Sequence, residues 1–304
     1  MTPRHVASAA LRQADHSADS RHNLRGGILV SAAALLWSTG GLVVRSLELA
    51  DAWTTVLWRG LAAAAFLLAF IGLRERRNTL RGFLKIGWPG TVVALCYASA
   101  STAVVLAFKL TSVAEVLVIM SSAPLLTALL GWAVLGERVW TVSWLAMLAS
   151  VAGIGLMVSD TDASGSILGD LIAAVVPAAQ AIAGVTLRRH RSVHMAPAMC
   201  IAALLTSLAA LPFATPLAIT VKDAALLTFF GAGQLGVGFV LFSFGAPLIP
   251  AAEAALLNLL EPIFGPLWVW LVLGERPSRG AILGGLIVLA ALAAHLREVR
   301  RRRL

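Results

Sequence analysis

Charge is what this sequence has least of. Of its 304 residues only 13% are Asp, Glu, Lys or Arg, where soluble domains carry about 25%. A disordered chain needs low hydrophobicity and high charge, and a soluble enzyme of this length needs a polar surface; both classes are excluded. Cysteine is scarce too. Cys96 and Cys200 are the two, both inside apolar runs, and they read as buried thiols, since a disulfide framework belongs to loop-rich extracellular chains. The histidines form no metal pattern: His190 and His194 sit among arginines, and His5, His16, His22 and His295 are terminal or peripheral. There is no HExxH, no P-loop and no GxSxG, so a membrane protease, an ATP-driven pump and an esterase all lack their chemistry. Neither an enzymatic activity nor a cofactor is expected. No polar stretch is long enough to hold a soluble domain. The first 25 residues have no apolar core, which argues against a cleaved signal peptide.

What the chain has instead is long apolar runs. Hydrophobic residues make up 59% and the mean hydropathy is +0.87. Runs can be placed at 26–46, 52–73, 86–108, 113–135, 140–158, 167–187, 194–214, 224–243, 249–273 and 279–296. A bilayer crossing takes roughly 20 apolar residues, so the sequence predicts an all-α integral membrane protein with ten transmembrane helices. The division between the seventh and eighth runs is the weakest, with Lys222 and Asp223 supplying most of its polarity. The net charge of +9 is not spread as a nucleic-acid surface would be. With the N-terminus inside, eighteen of the 24 Lys and Arg fall in inner segments, five in outer ones, and Arg59 lies within a run. Basic residues concentrate on the cytoplasmic side, so both termini are expected there.

The chain also repeats itself. Ala114–Arg138 (AEVLVIMSSAPLLTALLGWAVLGER) and Ala252–Arg276 (AEAALLNLLEPIFGPLWVWLVLGER) match without a gap at an offset of 138 residues, with ten identities. Shared apolar composition can match Leu with Leu, but not Glu115/Glu253, Pro124/Pro262, Trp132/Trp270 and both Gly-Glu-Arg ends in register. These are the fourth and ninth runs. Five apart is an odd number, so the second copy crosses in the opposite sense. Two inverted five-helix repeats are a transporter architecture, with the binding site near the midplane between them. The expected division is a cytoplasmic tail over 1–25, repeats over 26–158 and 167–296, and a basic tail over 297–304.

These features resemble the drug/metabolite transporter superfamily, specifically its exporters with two EamA domains and ten helices, and within them the YddG-like amino-acid exporters. The resemblance rests on Trp37-Ser38 with Arg45, Arg59, Lys109-Leu110 leading to Ala114, and the two Pro…Gly-Glu-Arg segments. It implies export of aromatic and other amino acids across a bacterial inner membrane. It also implies a central cavity lined by the first, third, fourth, sixth, eighth and ninth helices, with the fifth and tenth peripheral. The sequence departs from an aromatic-lined pocket in having a single tyrosine, Tyr97.

Glu261 is the sharpest candidate residue. It lies mid-run, and an intramembrane carboxylate faces a cavity or a partner. Asn258 and Gly265 share its helical face, and Pro262 frees a carbonyl one turn back. Glu261 would bind a substrate ammonium or carry a coupling proton, or else be a protonated structural residue bonded to a neighbouring helix. Its counterpart in the first repeat is Ala123, flanked by Ser121 and Ser122 before Pro124. These hydroxyls could meet a zwitterion or bond back to their own helix. Tyr97 and Ser101 share a face, Gln234 lies among glycines that permit close helix approach, and Gln180 falls opposite Trp37 and Ser38 when the halves are aligned. Arg59 reads first as a snorkelling or ion-paired structural arginine, and second as a gating group or a carboxylate partner. Pro124 and Pro262 mark kinked elements.

The expected partners are a small-molecule substrate and the lipid bilayer, not nucleic acid. A homodimer contact on the peripheral helices is compatible with the sequence. The expected mechanism is alternating access. A sugar nucleotide or phosphorylated sugar would need several intramembrane cations to balance phosphate, and only Arg59 offers one. A non-transporting scaffold is the third reading.

Overall fold

A computed structural model describes residues 24–48, 51–75, 79–110, 116, 119–136, 140–158, 166–190, 195–249, 251–274 and 279–303. Among them every regular element is helical. In chain order the main helices are α1 (Leu24–Ser46), α2 (Ala52–Glu75), α3 (Gly87–Leu110), α4 (Ala123–Leu135), α5 (Thr141–Val158), α6 (Ile167–Arg189), α7 (Met195–Ala210) and α8 (Val221–Leu248). They continue with α9, in two pieces (Ala251–Leu257 and Leu260–Leu273), and α10 (Arg279–Arg303). By length and composition α1, α2, α3, α6, α7 and α8 can each cross a membrane, while apolar stretches of α4, α5, α9 and α10 are shorter. The protein is an all-α, multi-pass membrane protein.

The helices form because hydrocarbon offers the backbone no other hydrogen-bond partner. Their ends are capped by polar side chains where the sequence supplies them. The Asp51 carboxylate accepts from the amides of Trp53 (3.2 Å) and Thr54 (2.9 Å) at the start of α2. The Thr220 hydroxyl accepts from the Asp223 amide at the start of α8 (3.1 Å). Both cysteines are free thiols, and Cys200 Sγ donates to the Ala64 carbonyl at 3.6 Å.

The packing pattern maps onto itself when each helix is exchanged for the one five places along. The pairs α2–α7 and α5–α10 are their own images. The α3–α7 contact has its image in α8–α2, and α4–α6 has its image in α9–α1. The backbone follows the same rule. Gly136 ends α4 at φ 67° and Gly274 ends α9 at φ 73°, a left-handed conformation that suits glycine. Ser122 (φ −73°, ψ −10°) and Leu259 (φ −68°, ψ −6°) precede the two matching half-helices in nearly the same conformation. The segment match found at 138 residues is therefore a match in backbone shape. Glu115, Glu137, Arg138, Glu275 and Arg276 of that match lie outside the described residues.

One group of contacts was not foreseen. Lys222 and Asp223 read as plain loop polarity in the sequence, yet Asp223 is 1% exposed. Its carboxylate accepts from the Glu48 amide (3.0 Å), while Lys222 Nζ donates to Glu48 (2.9 Å). Beside them Thr54 Oγ1 accepts from the Thr215 amide (2.8 Å) and Trp58 Nε1 donates to the Pro216 carbonyl (3.0 Å). The end of α1 and start of α2 are thereby tied to the α7–α8 connection.

With lipid on one side and protein on the other, helix association depends on close packing of small residues. The α2–α7 seam illustrates it: a Cβ on Gly60 would meet the Ser207 hydroxyl and lie 2.9 Å from the Ala203 carbonyl oxygen. Gly27 has open space around it. Gly60→Val should therefore destabilise the protein by about 1–3 kcal/mol, the usual cost of overpacking. Gly27→Ala should be neutral or better. Thermal unfolding of the detergent-purified variants, read by loss of the monodisperse peak, checks both.

Candidate functional site

Among the described residues, regular helix fails at four places within the bundle. α1 is interrupted at Thr39, where Ser38 Oγ donates to the Leu35 carbonyl (2.6 Å) and Thr39 Oγ1 to that of Leu36 (2.7 Å). α9 breaks at Asn258–Leu259, and the chain before α4 breaks at Ser121–Ser122. In α8, Phe229–Val237 is π-helical. Such stretches occur mostly as local bulges and often mark functional sites. Each irregularity frees backbone groups that neighbouring side chains or ligands must satisfy.

Side chains converge on these breaks. Gln234, buried in the π-helical stretch, donates through Nε2 to the Trp37 carbonyl at 2.7 Å. The Trp37 ring packs edge-on to Phe239 (5.7 Å between centroids) and tilted to Phe242 (5.5 Å). Tyr97 reaches the same cluster through Phe239 (5.4 Å). Trp268 Nε1 donates to Ser38 Oγ at 2.8 Å, joining the second piece of α9 to the break in α1. Gly40 leaves the room that Gln234 and Phe230 fill, since a Cβ there would lie 2.8 Å from Gln234 Nε2 and 3.4 Å from Phe230.

Arg59 points into this region rather than out to lipid, which sets aside the snorkelling alternative and leaves the paired one. Its guanidinium lies over the Phe230 ring, 4.3 Å from the centroid, in the geometry of a cation–π contact. It is also close enough to Glu261 for the two charges to interact. Glu261 itself is not mid-helix. The break before Leu260 places it in the first turn of a new helix, where the dipole complements a carboxylate. Pro262 likewise lies in that first turn, and Pro124 opens α4, positions a proline tolerates. Both prolines therefore start helices after breaks rather than bending continuous ones, and the Asn258 carbonyl already accepts the Glu261 amide (3.0 Å).

Four polar atoms here are buried without a hydrogen-bond partner within the protein: Trp37 Nε1, Arg59 Nε, Gln234 Oε1 and Asn258 Oδ1. Two are donors and two acceptors, on four different helices. A buried polar group left unpaired costs about 1–3 kcal/mol, and in ordinary core packing nearly all such atoms are paired.

The remaining sequence candidates behave differently. Ser122 Oγ donates to the Ile119 carbonyl at 2.7 Å, the local bond expected at a broken helix. Ser121 is buried and bonded. Ser101 and Gln180 are half-buried, and no described hydrogen bond or ring contact joins them to the cluster. Sequence reasoning passed over Phe230, Phe239, Phe242 and Trp268, because aromatic residues within apolar runs carry no signal that separates site from core.

The comparisons with known proteins agree with this fold. The sequence matches the family described as the EamA-like transporter family over residues 24–159 and again over 164–296. It is 30% identical over 286 residues to an uncharacterized transporter of Bacillus subtilis (strain 168), YwfM, covering 87% of this chain and 93% of that protein. A solved crystal structure, described only as that of a protein, superposes with a TM-score of 0.79 at 21% identity, over 90% of this chain and 98% of that one. That likeness speaks for the fold alone.

Removing one member of a buried charge pair strands the other, whereas removing both does not. Arg59→Met and Glu261→Gln should thus each lower the thermal midpoint of the purified protein by more than the double variant does. Additive losses would mean that the two charges do not act as a pair.

Proposed function

The chain belongs to the EamA-like transporter family, and we propose that it exports small zwitterionic metabolites, amino acids above all, by alternating access across a bacterial inner membrane. The family membership makes it a multi-pass membrane transporter; the substrate class, the mechanism and the orientation are our reading. The observation that carries it is a set of unpartnered buried polar atoms at and around the helix breaks, Arg59 Nε among them, with Glu261 close enough to Arg59 to interact.

An amino acid presents a carboxylate and an ammonium. Arg59 and the Trp37 indole N–H offer donors to the first. Glu261, Gln234 Oε1 and Asn258 Oδ1 offer acceptors to the second. Substrate would thus exchange the internal Arg59–Glu261 attraction for two charge-assisted contacts, each stronger than a neutral hydrogen bond. The rings of Trp37, Phe239 and Tyr97 supply an apolar wall for a side chain. The four atoms are shielded from solvent in this arrangement of the helices. Opening toward either side requires the half-helices of α1 and α9 to move, and their breaks are natural hinges. Ser101, Ser121, Ser122 and Gln180 remain second-rank candidates on the half of the bundle that would move against them. Phosphorylated substrates fit less well, because Arg59 is the only guanidinium that the described contacts bring to this cluster.

The test is counterflow of radiolabelled amino acids in liposomes containing the purified protein, with a proton gradient set or collapsed. Saturable flux, competed by several amino acids, is expected. Gln234→Leu and Arg59→Met should each reduce it about tenfold or more, the loss of one well-placed bond of about 1.4 kcal/mol. Flux lost in Glu261→Gln only under a proton gradient would make Glu261 the coupling group. No flux of any amino acid through folded, correctly inserted protein would overturn the substrate assignment.

A further inference from the structure

A hollow lies apart from this site, at the end of the bundle where α3 begins and α6 ends. It holds about 220 Å³. Its walls change character along their length. Val134 of α4 and Ile182 of α6 form an apolar stretch, 45% and 44% exposed, and Val185 is buried at its floor. On membrane helices such exposed aliphatic surface meets acyl chains. At the other end stand Arg189, exposed, and His190, with Trp88 set edge-on to the histidine ring at 5.0 Å. Trp88 is 66% exposed, as befits an aromatic residue at the level of lipid headgroups.

Arg189 and His190 close a helix, where basic residues offset the dipole. That accounts for their charge. It does not account for their standing at the mouth of an apolar trough between three helices, beside an exposed indole. From this juxtaposition we infer that the trough between α3, α4 and α6 is a binding site for an anionic phospholipid. The two non-bridging oxygens of the phosphate sit against the Arg189 guanidinium fork; His190 donates to one of them; Trp88 covers the glycerol level; and one acyl chain runs along Ile182 and Val134. Basic pockets between membrane helices take anionic headgroups in this way. A free phosphate would use only the basic end and leave the apolar wall without a role. A phosphatidylcholine would bring its own cation against Arg189. The occupant is therefore a phospholipid of net negative charge, such as phosphatidylglycerol. The site is independent of which solute the protein carries.

The experiment is thermal unfolding and native mass spectrometry of the full-length protein, delipidated in detergent. It is then given phosphatidylglycerol, phosphatidylcholine with the same acyl chains, or inorganic phosphate. Phosphatidylglycerol should raise the melting temperature and remain bound as discrete adducts; the other two should do neither at the same concentration. Arg189→Gln with His190→Gln should weaken the phosphatidylglycerol effect about tenfold, as expected for losing charge-assisted bonds. Ile182→Trp fills the apolar wall while leaving the cations in place, and should weaken it as well. Leu208→Trp, on exposed surface of α7, should not. The inference is overturned if phosphate or phosphatidylcholine reproduces the effect, or if phosphatidylglycerol stabilises both trough variants as much as the wild type.

Discussion

Everything in this molecule answers to one constraint: in hydrocarbon a backbone amide or carbonyl must find its partner within the protein. Regular helix meets that demand along most of the chain. Where it does not, in α1, before α4, within α9 and through the π-helical stretch of α8, side chains take over. Ser38, Thr39 and Ser122 bond back to carbonyls in the preceding turn, and Gln234 reaches across from α8 to the Trp37 carbonyl. At the break in α1 and the π-helical stretch of α8, irregular backbone and polar side chains therefore coincide, for the same reason.

Two charges are also close enough there to interact. Arg59 comes from α2 and Glu261 from the start of a half-helix in α9. Neither is favourable alone in a membrane, and each makes the other tolerable. The close small-residue seams, such as α2 against α7 at Gly60, let helices touch without long side chains interlocking between them.

Much of the fold was legible in the residues. Apolar runs long enough to span lipid, the scarcity of charge and the segment match at 138 residues led to an all-helical membrane protein built on a repeat, and Gly136 with Gly274 carries that match into the backbone. The site was legible in part. Trp37, Ser38 and Gln234 were picked out as candidates and are in contact with one another or with a shared neighbour. Arg59 was legible as a cation that either snorkels or pairs, and its sequence position could not choose between them, because a single cation eight residues into a helix looks alike whether it faces lipid or turns inward. Glu261 was recognised for its cost in lipid, but its position at a helix start was not, since a proline in an apolar run does not say whether the helix bends or ends.

The sequence alone determined what depends on composition and period: the membrane class, the places where helices run, and the kinship of the two halves. Those properties are sums over many residues or matches in register, so they survive without coordinates. The tertiary structure decided what depends on rotation and approach. Which face of α2 turns inward, which aromatic rings surround Trp37, and which polar atoms are left without a partner are set by contacts between helices far apart in the chain. No local pattern encodes them, because the same apolar residue serves equally well against lipid or against a neighbouring helix.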